Sequence, residues 1–246
     1  MKHFFTGIIL ALLSMQPLFA QHQTHTRKTG FLSPTDKIHA YFFQEKTHRL
    51  QVIDEADCSS PKYGSLSKAM TQHKCQAGIN GGYFGADKEG TPLGMVVQNG
   101  KQIHPLQSGS FSVSGLVYDT GKKIHLIRSK DYLAQKDKPG IANAIQGGPF
   151  LIDKGRVVSG LNNTRHAYRT FIATDGKGRW CIATTTSLTL QELAEWLHEK
   201  GALGDFDIHM ALNLDGGSSS SYWVKTPGIY YPSVKHVRNY LGIAPR

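Results

Sequence analysis

Cysteine is scarce in this chain of 246 residues: Cys58, Cys75 and Cys181 are the only three. None has the spacing of a zinc site, and none lies in the polar, cation-flanked setting that activates a thiol. Acidic residues are few as well, 18 against 28 lysines and arginines, for a formal net charge of +10. That excess is scattered. No run of five or six cations occurs, and no basic stripe is interleaved with aromatics, so nucleic acid is not an indicated partner. Beyond the first 20 residues no apolar stretch reaches membrane-spanning length. A G-x-S-x-G nucleophile elbow is missing, and no histidine is specifically placed to activate a serine. No linker or tandem repeat divides the chain.

The opening has the layout of a secretory leader. Lys2 gives a basic start, Phe4 to Leu13 is apolar apart from Thr6 and Gly7, and Pro17-Leu18-Phe19-Ala20 ends in a small residue. Cleavage is expected after Ala20, and the absence of a nearby cysteine argues against a bacterial lipid anchor. About 226 residues then remain, a span one domain can fill, and loss of Lys2 lowers the formal charge to about +9. In an exported protein, periplasmic or secreted, that balance suits an anionic envelope polymer or a phosphate-bearing substrate; a solvated basic surface accounts for it equally. Residues 21–35, polar and carrying His22, His25, Arg27 and Lys28, read as a flexible lead-in, and 36–246 as the domain. An oxidising compartment permits a disulfide. Cys58 and Cys75 flank one short segment and are the expected pair, whereas Cys181, within an apolar run, reads as a buried free thiol.

The periodicities point to an α+β single domain on a largely antiparallel or mixed β-sheet with few helices. Ile38–Phe43 and Arg49–Ile53 suggest a hairpin, and 62–73 a short helix. Four more hairpins follow, around Asn99-Gly100, Asp119–Lys122, Asp153–Gly155 and Asp175–Gly178. One helix is well marked: Thr189-Leu190-Gln191-Glu192 fits a capping box, Leu190, Leu193, Ala194 and Leu197 form one stripe, and Gly201 ends it.

Three corners carry the chemistry. Each brings an apolar run to an amide or acid and then to a Gly-Gly pair: Asn80-Gly81-Gly82-Tyr83-Phe84, Gln146-Gly147-Gly148-Pro149-Phe150, and Asn213-Leu214-Asp215-Gly216-Gly217-Ser218-Ser219. Strand alternation puts Asn213 and Asp215 on one face, and paired glycines permit a sharp bend or a close approach. Singly such corners are turns and serine runs are surface. Three together, one bearing an acid, read as walls of one site.

These corners, with Arg169-Thr170-Phe171-Ile172-Ala173 between the second and third and Val237–Ile243 as a closing strand, resemble in kind and order the phosphodiester glycosidase family. The resemblance runs from about Gly78 to the C-terminus. It departs at Tyr168, where the family commonly has proline, and at Ser218, where a further glycine is frequent.

The resemblance implies hydrolysis of a sugar-1-phosphodiester at the anomeric carbon, giving free sugar and a phosphomonoester. Most glycosidases flank the bond with two carboxylates, one protonating a poor leaving group. A phosphate monoester leaves more readily, so one carboxylate and one strong cation suffice. Asp215 and Arg169 are the catalytic candidates, the first to activate water or attack the anomeric carbon, the second to hold phosphate with its planar fork. Asn80, Asn213, Tyr83, His166, Ser218 and Ser219 are candidate substrate contacts, and the corner glycines Gly81, Gly82, Gly147, Gly148, Gly216 and Gly217 line the site. The N–H groups of Gly81, Gly82, Gly216 and Gly217 are expected to cradle the anion. No cofactor is required by the sequence. Asp215, Asp153 and Asp87 leave a divalent cation open. Two other readings stand: a non-catalytic binder of anionic envelope glycans, and a metal-dependent phosphodiesterase cutting P–O, which needs a ligand cluster that no spacing reveals.

Overall fold

The computed structural model describes residues 20–28 and 35–246. The expected leader, apart from Ala20, and the stretch 29–34 lie outside them.

In chain order the first strands are β1 (Gln21–Lys28), β2 (Thr35–Gln44), β3 (His48–Asp54), β4 (Ala77–Asn80), β5 (Val96–Gln98), β6 (Lys101–His104), β7 (Gly115–Asp119) and β8 (Ile124–Arg128). There follow β9 (Asn143–Gly147), β10 (Phe150–Asp153), β11 (Arg156–Val157), β12 (Ala167–Thr174) and β13 (Arg179–Leu188). The last are β14 (Met210–Asn213), β15 (Tyr222–Val224), β16 (Ile229–Tyr231) and β17 (Asn239–Pro245). The helices are α1 (Leu66–Gln72), α2 (Ser129–Leu133) and α3 (Leu190–His198).

The strands form three sheets: β1-β2-β13-β12-β14-β10-β11, β16-β15-β4-β17-β3 and β6-β5-β9-β7-β8. Every pairing among the described residues is antiparallel. The main core lies where the sheets meet, with Tyr41, Val52, Ile79, Val117, Ile145, Phe150, Ile172, Leu212 and Leu241 all buried in it. Alternation gives the seven-stranded sheet a second apolar face: Ile38, Ala40 and Phe42 of β2 pack with Phe171, Cys181 and α3 residues Leu193 and Leu197. Each such leucine contributes about 1.5–3 kcal/mol by leaving water.

The four later hairpins form as their turn chemistry demands. Asn99 and Gly100 both have positive φ (49° and 79°), as do Lys154 and Gly155 (51° and 75°), the conformation of a two-residue turn that matches strand twist. The capping box closes α3 reciprocally: Glu192 N–H donates to Thr189 Oγ1 (3.1 Å) and Thr189 N–H to Glu192 Oε2 (2.8 Å).

Four expectations change. Gln21–Lys28 is not a loose lead-in but an edge strand, in register with β2 from Gln21↔Phe42 to Lys28↔Thr35; backbone pairing compensates for its polar sequence. Strands β2 and β3 exist, but the expected hairpin does not. The chain turns at Gln44–Thr47 and switches sheets, β2 pairing with β13 and β3 with β17, because both strands are apolar on two faces. The first helix, expected from residue 62, starts only at Leu66, after the Ser65 cap.

Finally, the cysteines are all free. Cys58 packs its sulfur against Gly90 in a loop, where a Cβ on that glycine would collide with it. Cys75 is buried beside Met70 in the notch left by the paired glycines Gly78 and Gly242; a Cβ on Gly242 would come within 2.6 Å of its sulfur. The two thiols belong to different packing environments, and burial pushes the Cys75 thiol up to about 12.

Candidate active site

Three strand ends converge. Strand β4 delivers Asn80 and the Gly81-Gly82-Tyr83 corner, β9 delivers Gly147-Gly148, and β14 delivers Asn213, Leu214 and Asp215. The contacts between them are backbone to backbone and amide to backbone. Asp215 N–H donates to the Gly81 carbonyl (3.2 Å), and Asn80 Nδ2 donates to the Asp215 carbonyl (2.7 Å). Asn80 Oδ1 accepts from Thr170 Oγ1 (2.8 Å) and from Ser221 N–H (3.0 Å). Asn213 Nδ2 donates to Tyr83 Oη (2.8 Å) and to the carbonyls of Gly148 (2.9 Å) and Leu214 (2.7 Å). Tyr83 Oη in turn donates to the Gly148 carbonyl (3.1 Å).

This lattice explains the glycines. A Cβ on Gly82 would lie 2.6 Å from the Gln146 carbonyl oxygen, one on Gly147 2.8 Å from Leu214 Cδ2, and one on Gly216 2.7 Å from the Tyr168 carbonyl oxygen. Gly81 and Gly148 would collide with the Asn239 side chain and the Phe111 carbonyl. Among these six corner glycines only Gly217 is left-handed (φ 62°), so close approach is the main requirement. The expected anion cradle is corrected accordingly. Gly81 N–H donates to the Asn239 carbonyl, Gly82 N–H to Asn239 Oδ1, and Gly216 N–H to Asp215 Oδ1, each at 2.8–2.9 Å. Those donors are already engaged.

The charged groups sit on this frame. Arg169, buried near the start of β12, donates from Nε to the Leu188 carbonyl (2.8 Å) and from one terminal nitrogen to the Arg165 carbonyl. Three of its five N–H groups remain. Burial lowers its pKa, the Tyr83 hydroxyl works the other way, and the Arg165 charge adds to the lowering. The half-buried Asp215 carboxyl is raised by burial; the Ser219 hydroxyl, the Gly216 N–H and the charges of Lys235 and Arg165 offset part of that. Tyr83 is pushed up to about 12 by burial and then by Asp215, with Arg169, Asn213 and Arg165 opposing; its phenol stays protonated at neutral pH. Among the described residues neither Asp215 nor Arg169 is in an ion pair.

Asn213 Oδ1 is buried without a partner, and the buried Ser219 hydroxyl faces the Asp215 carboxyl, whose ionised form it favours. Ser218 is exposed, and its carbonyl accepts from Val234 N–H (2.8 Å). His166 is exposed and pairs with Glu192 of α3 (3.2 Å) rather than with the acid. Asp153 pairs with Arg128 (2.6 Å) and Asp87 accepts from Thr91. The three carboxylates considered for a cation therefore do not gather, and among the described residues no group of three or more His, Cys, Asp or Glu has metal-holding geometry.

A comparison with protein-family profiles matches residues 73–244 to the phosphodiester glycosidase family. The chain belongs to this family. Its fold is that of the catalytic domain of zebrafish N-acetylglucosamine-1-phosphodiester alpha-N-acetylglucosaminidase, a structure auto-inhibited by its pro-peptide. The TM-score is 0.69 at 17% identity, over 95% of this chain and 85% of that one. A hypothetical protein from Synechocystis shares it with a TM-score of 0.58 at 17% identity, over 92% of this chain and 62% of that one. No curated protein sequence matches the chain.

Within this member of the family, sequence reasoning missed five residues of the frame: Arg165, Thr170, Lys235, Ser221 and Asn239. Arg165 lies four positions before Arg169 in the polar loop, Thr170 directly follows it and Asn239 falls in the closing strand, usable signals all three; Lys235 and Ser221 reach the corner through folding.

Proposed function

We propose that the chain is an exported hydrolase that breaks the anomeric C–O bond of a sugar-1-phosphodiester, releasing free sugar and a phosphomonoester. The observation that carries this reading is that the half-buried Asp215 carboxyl and the buried Arg169 guanidinium both act on the Tyr83 hydroxyl, while neither is engaged in an ion pair among the described residues. With no structural ion partner, each is available to a ligand.

Arg169, with the Arg165 charge near it, holds the phosphate diester and stabilises the charge that develops as the phosphomonoester leaves. Asp215 acts in its ionised form, on water or on the anomeric carbon. Tyr83 and Asn213 fix one wall of the site, and the free Asn213 Oδ1 accepts from a sugar hydroxyl. Asn80 works through Asp215, holding its backbone. Family membership supports the reaction class, and the zebrafish enzyme's name supplies the first sugar to try. Export rests on the layout of the leader.

The test is release of reducing sugar from N-acetylglucosamine-α-1-phosphodiesters by the mature protein and by Asp215→Asn, in ¹⁸O-labelled water, with and without chelator. Label in the sugar, with loss of turnover in the variant, is the expected result. Label in phosphate would move the reading to P–O cleavage. Binding without turnover would favour the glycan-binding reading.

A further inference from the structure

A groove of about 430 Å³ opens beside the site. Tyr168, Tyr231, Pro232 and Val234 give it an apolar lining, and Gly217 and Ser220 form its inner end. It lies next to the acid's own turn: Gly217 and Ser220 follow shortly after Asp215 in the chain. The Val234 and Lys235 N–H groups both donate to the Ser218 carbonyl (2.8 and 3.3 Å), tying the outer wall to that same turn.

Two features say what the groove takes. Two threonines of its wall spend their hydroxyl protons on the protein: Thr184 Oγ1 donates to the Arg169 carbonyl (3.1 Å) and Thr185 Oγ1 to the Thr186 carbonyl (2.7 Å). A sugar hydroxyl lying against that wall would lose water and find no donor there. Its large side chains, by contrast, are open to solvent: Val234 is 89% exposed, Tyr168 57% and Tyr231 43%. Apolar surface gathered in this way marks a binding face. Cationic charge sits at the acid, where Lys235 and Arg165 act on Asp215. The pattern, cationic head and apolar tail, complements an amphiphilic phosphate ester.

We infer that this groove binds the group on the far side of the phosphate and that this group is an apolar chain, so that the substrate is a sugar-1-phosphoalkyl diester. The inference rests on the proposed reaction and assigns its leaving side. No step is added: the C–O bond to the sugar breaks, water supplies the new hydroxyl, and the departing group is an alkyl phosphate.

The experiment compares kcat/KM for methyl, butyl and octyl diesters of N-acetylglucosamine-α-1-phosphate, below their micellar concentrations, in the parent and in Val234→Glu. Val234 is exposed, so the variant retains the fold. Burial of each methylene is worth about three- to four-fold, and the octyl ester is expected to exceed the methyl ester at least ten-fold, chiefly through KM. In Val234→Glu that ratio should fall toward one, each protein serving as its own control. Equal kcat/KM across the series would overturn the inference while leaving the reaction standing. If no diester is cleaved, the reaction fails and calorimetry with octyl phosphate against methyl phosphate decides the groove. Tighter octyl phosphate binding, lost in Val234→Glu, supports it; equal binding overturns it.

Discussion

The Asn80 side-chain amide donates to the backbone carbonyl of Asp215 across 2.7 Å, joining the end of β4 to the end of β14 at a sequence separation of 135 residues. Its other end accepts from Thr170 and Ser221. Asn80→Ala should therefore leave two donors without an acceptor. The expected loss is about 1–3 kcal/mol of stability, with kcat falling more than KM rises because the acid is displaced. Urea unfolding and steady-state kinetics on the same preparation check both; an unaltered kcat would remove Asn80 as a positioning residue.

Asp215→Asn should abolish turnover yet make the protein more stable at neutral pH. Burial raises the folded-state pKa of Asp215, so ionised Asp215 opposes folding. Its unfavourable contribution is absent below the unfolded pKa and grows as pH rises through the folded one. The variant should gain about 1 kcal/mol at pH 7, roughly 2–4 °C in Tm for a domain of this size, and nothing at pH 3. Melting curves at the two pH values decide it.

On the proposed reaction the same shift sets the acid limb of activity. With Asp215 acting ionised, kcat/KM should decline at a pH above that of an ordinary aspartate as acid is added. A limb at an ordinary aspartate pKa would show that a different group controls the reaction.

Arg169→Lys should not rescue Arg169→Ala. The planar fork donates to the Leu188 and Arg165 carbonyls and still presents N–H groups to a ligand, which a single ammonium cannot do. A fall of about 100-fold or more in kcat/KM is expected for both variants, consistent with loss of a charge-stabilising donor. Kinetics of the lysine variant near the parent level would mean that charge alone suffices.

Thiol titration of the unreduced, denatured protein should give three equivalents, from Cys58, Cys75 and Cys181. One equivalent would restore the disulfide. In the same region Gly78→Ala should destabilise by about 1–3 kcal/mol, because the new methyl meets Met70; combining it with Met70→Ala should recover less than additively.

Much of this was legible locally. The hairpins at Asn99-Gly100 and Lys154-Gly155 follow from turn chemistry, and α3 from its capping box. Arg169 and Asp215 stand out through the order of motifs that resembles the family, the acid closing an apolar run at its Gly-Gly corner. What local reading missed is non-local pairing. Strand β1 looks like a tail because its partner, not its composition, makes it a strand. The β2–β3 hairpin looked sound because adjacency in sequence says nothing about which sheet claims each strand. The glycine N–H groups looked available because their acceptor, Asn239, arrives from the far end of the chain.

Strand β1 has a consequence for handling the protein. It caps one edge of the seven-stranded sheet, and through His22 and Thr24 it also touches His39 beside the groove. Trim it, or crowd it with a fusion partner, and the outer rail of β2 is laid bare: an open row of amides and carbonyls that a second molecule can zip onto. Preparations with different first residues would then differ in self-association before they differ in catalysis.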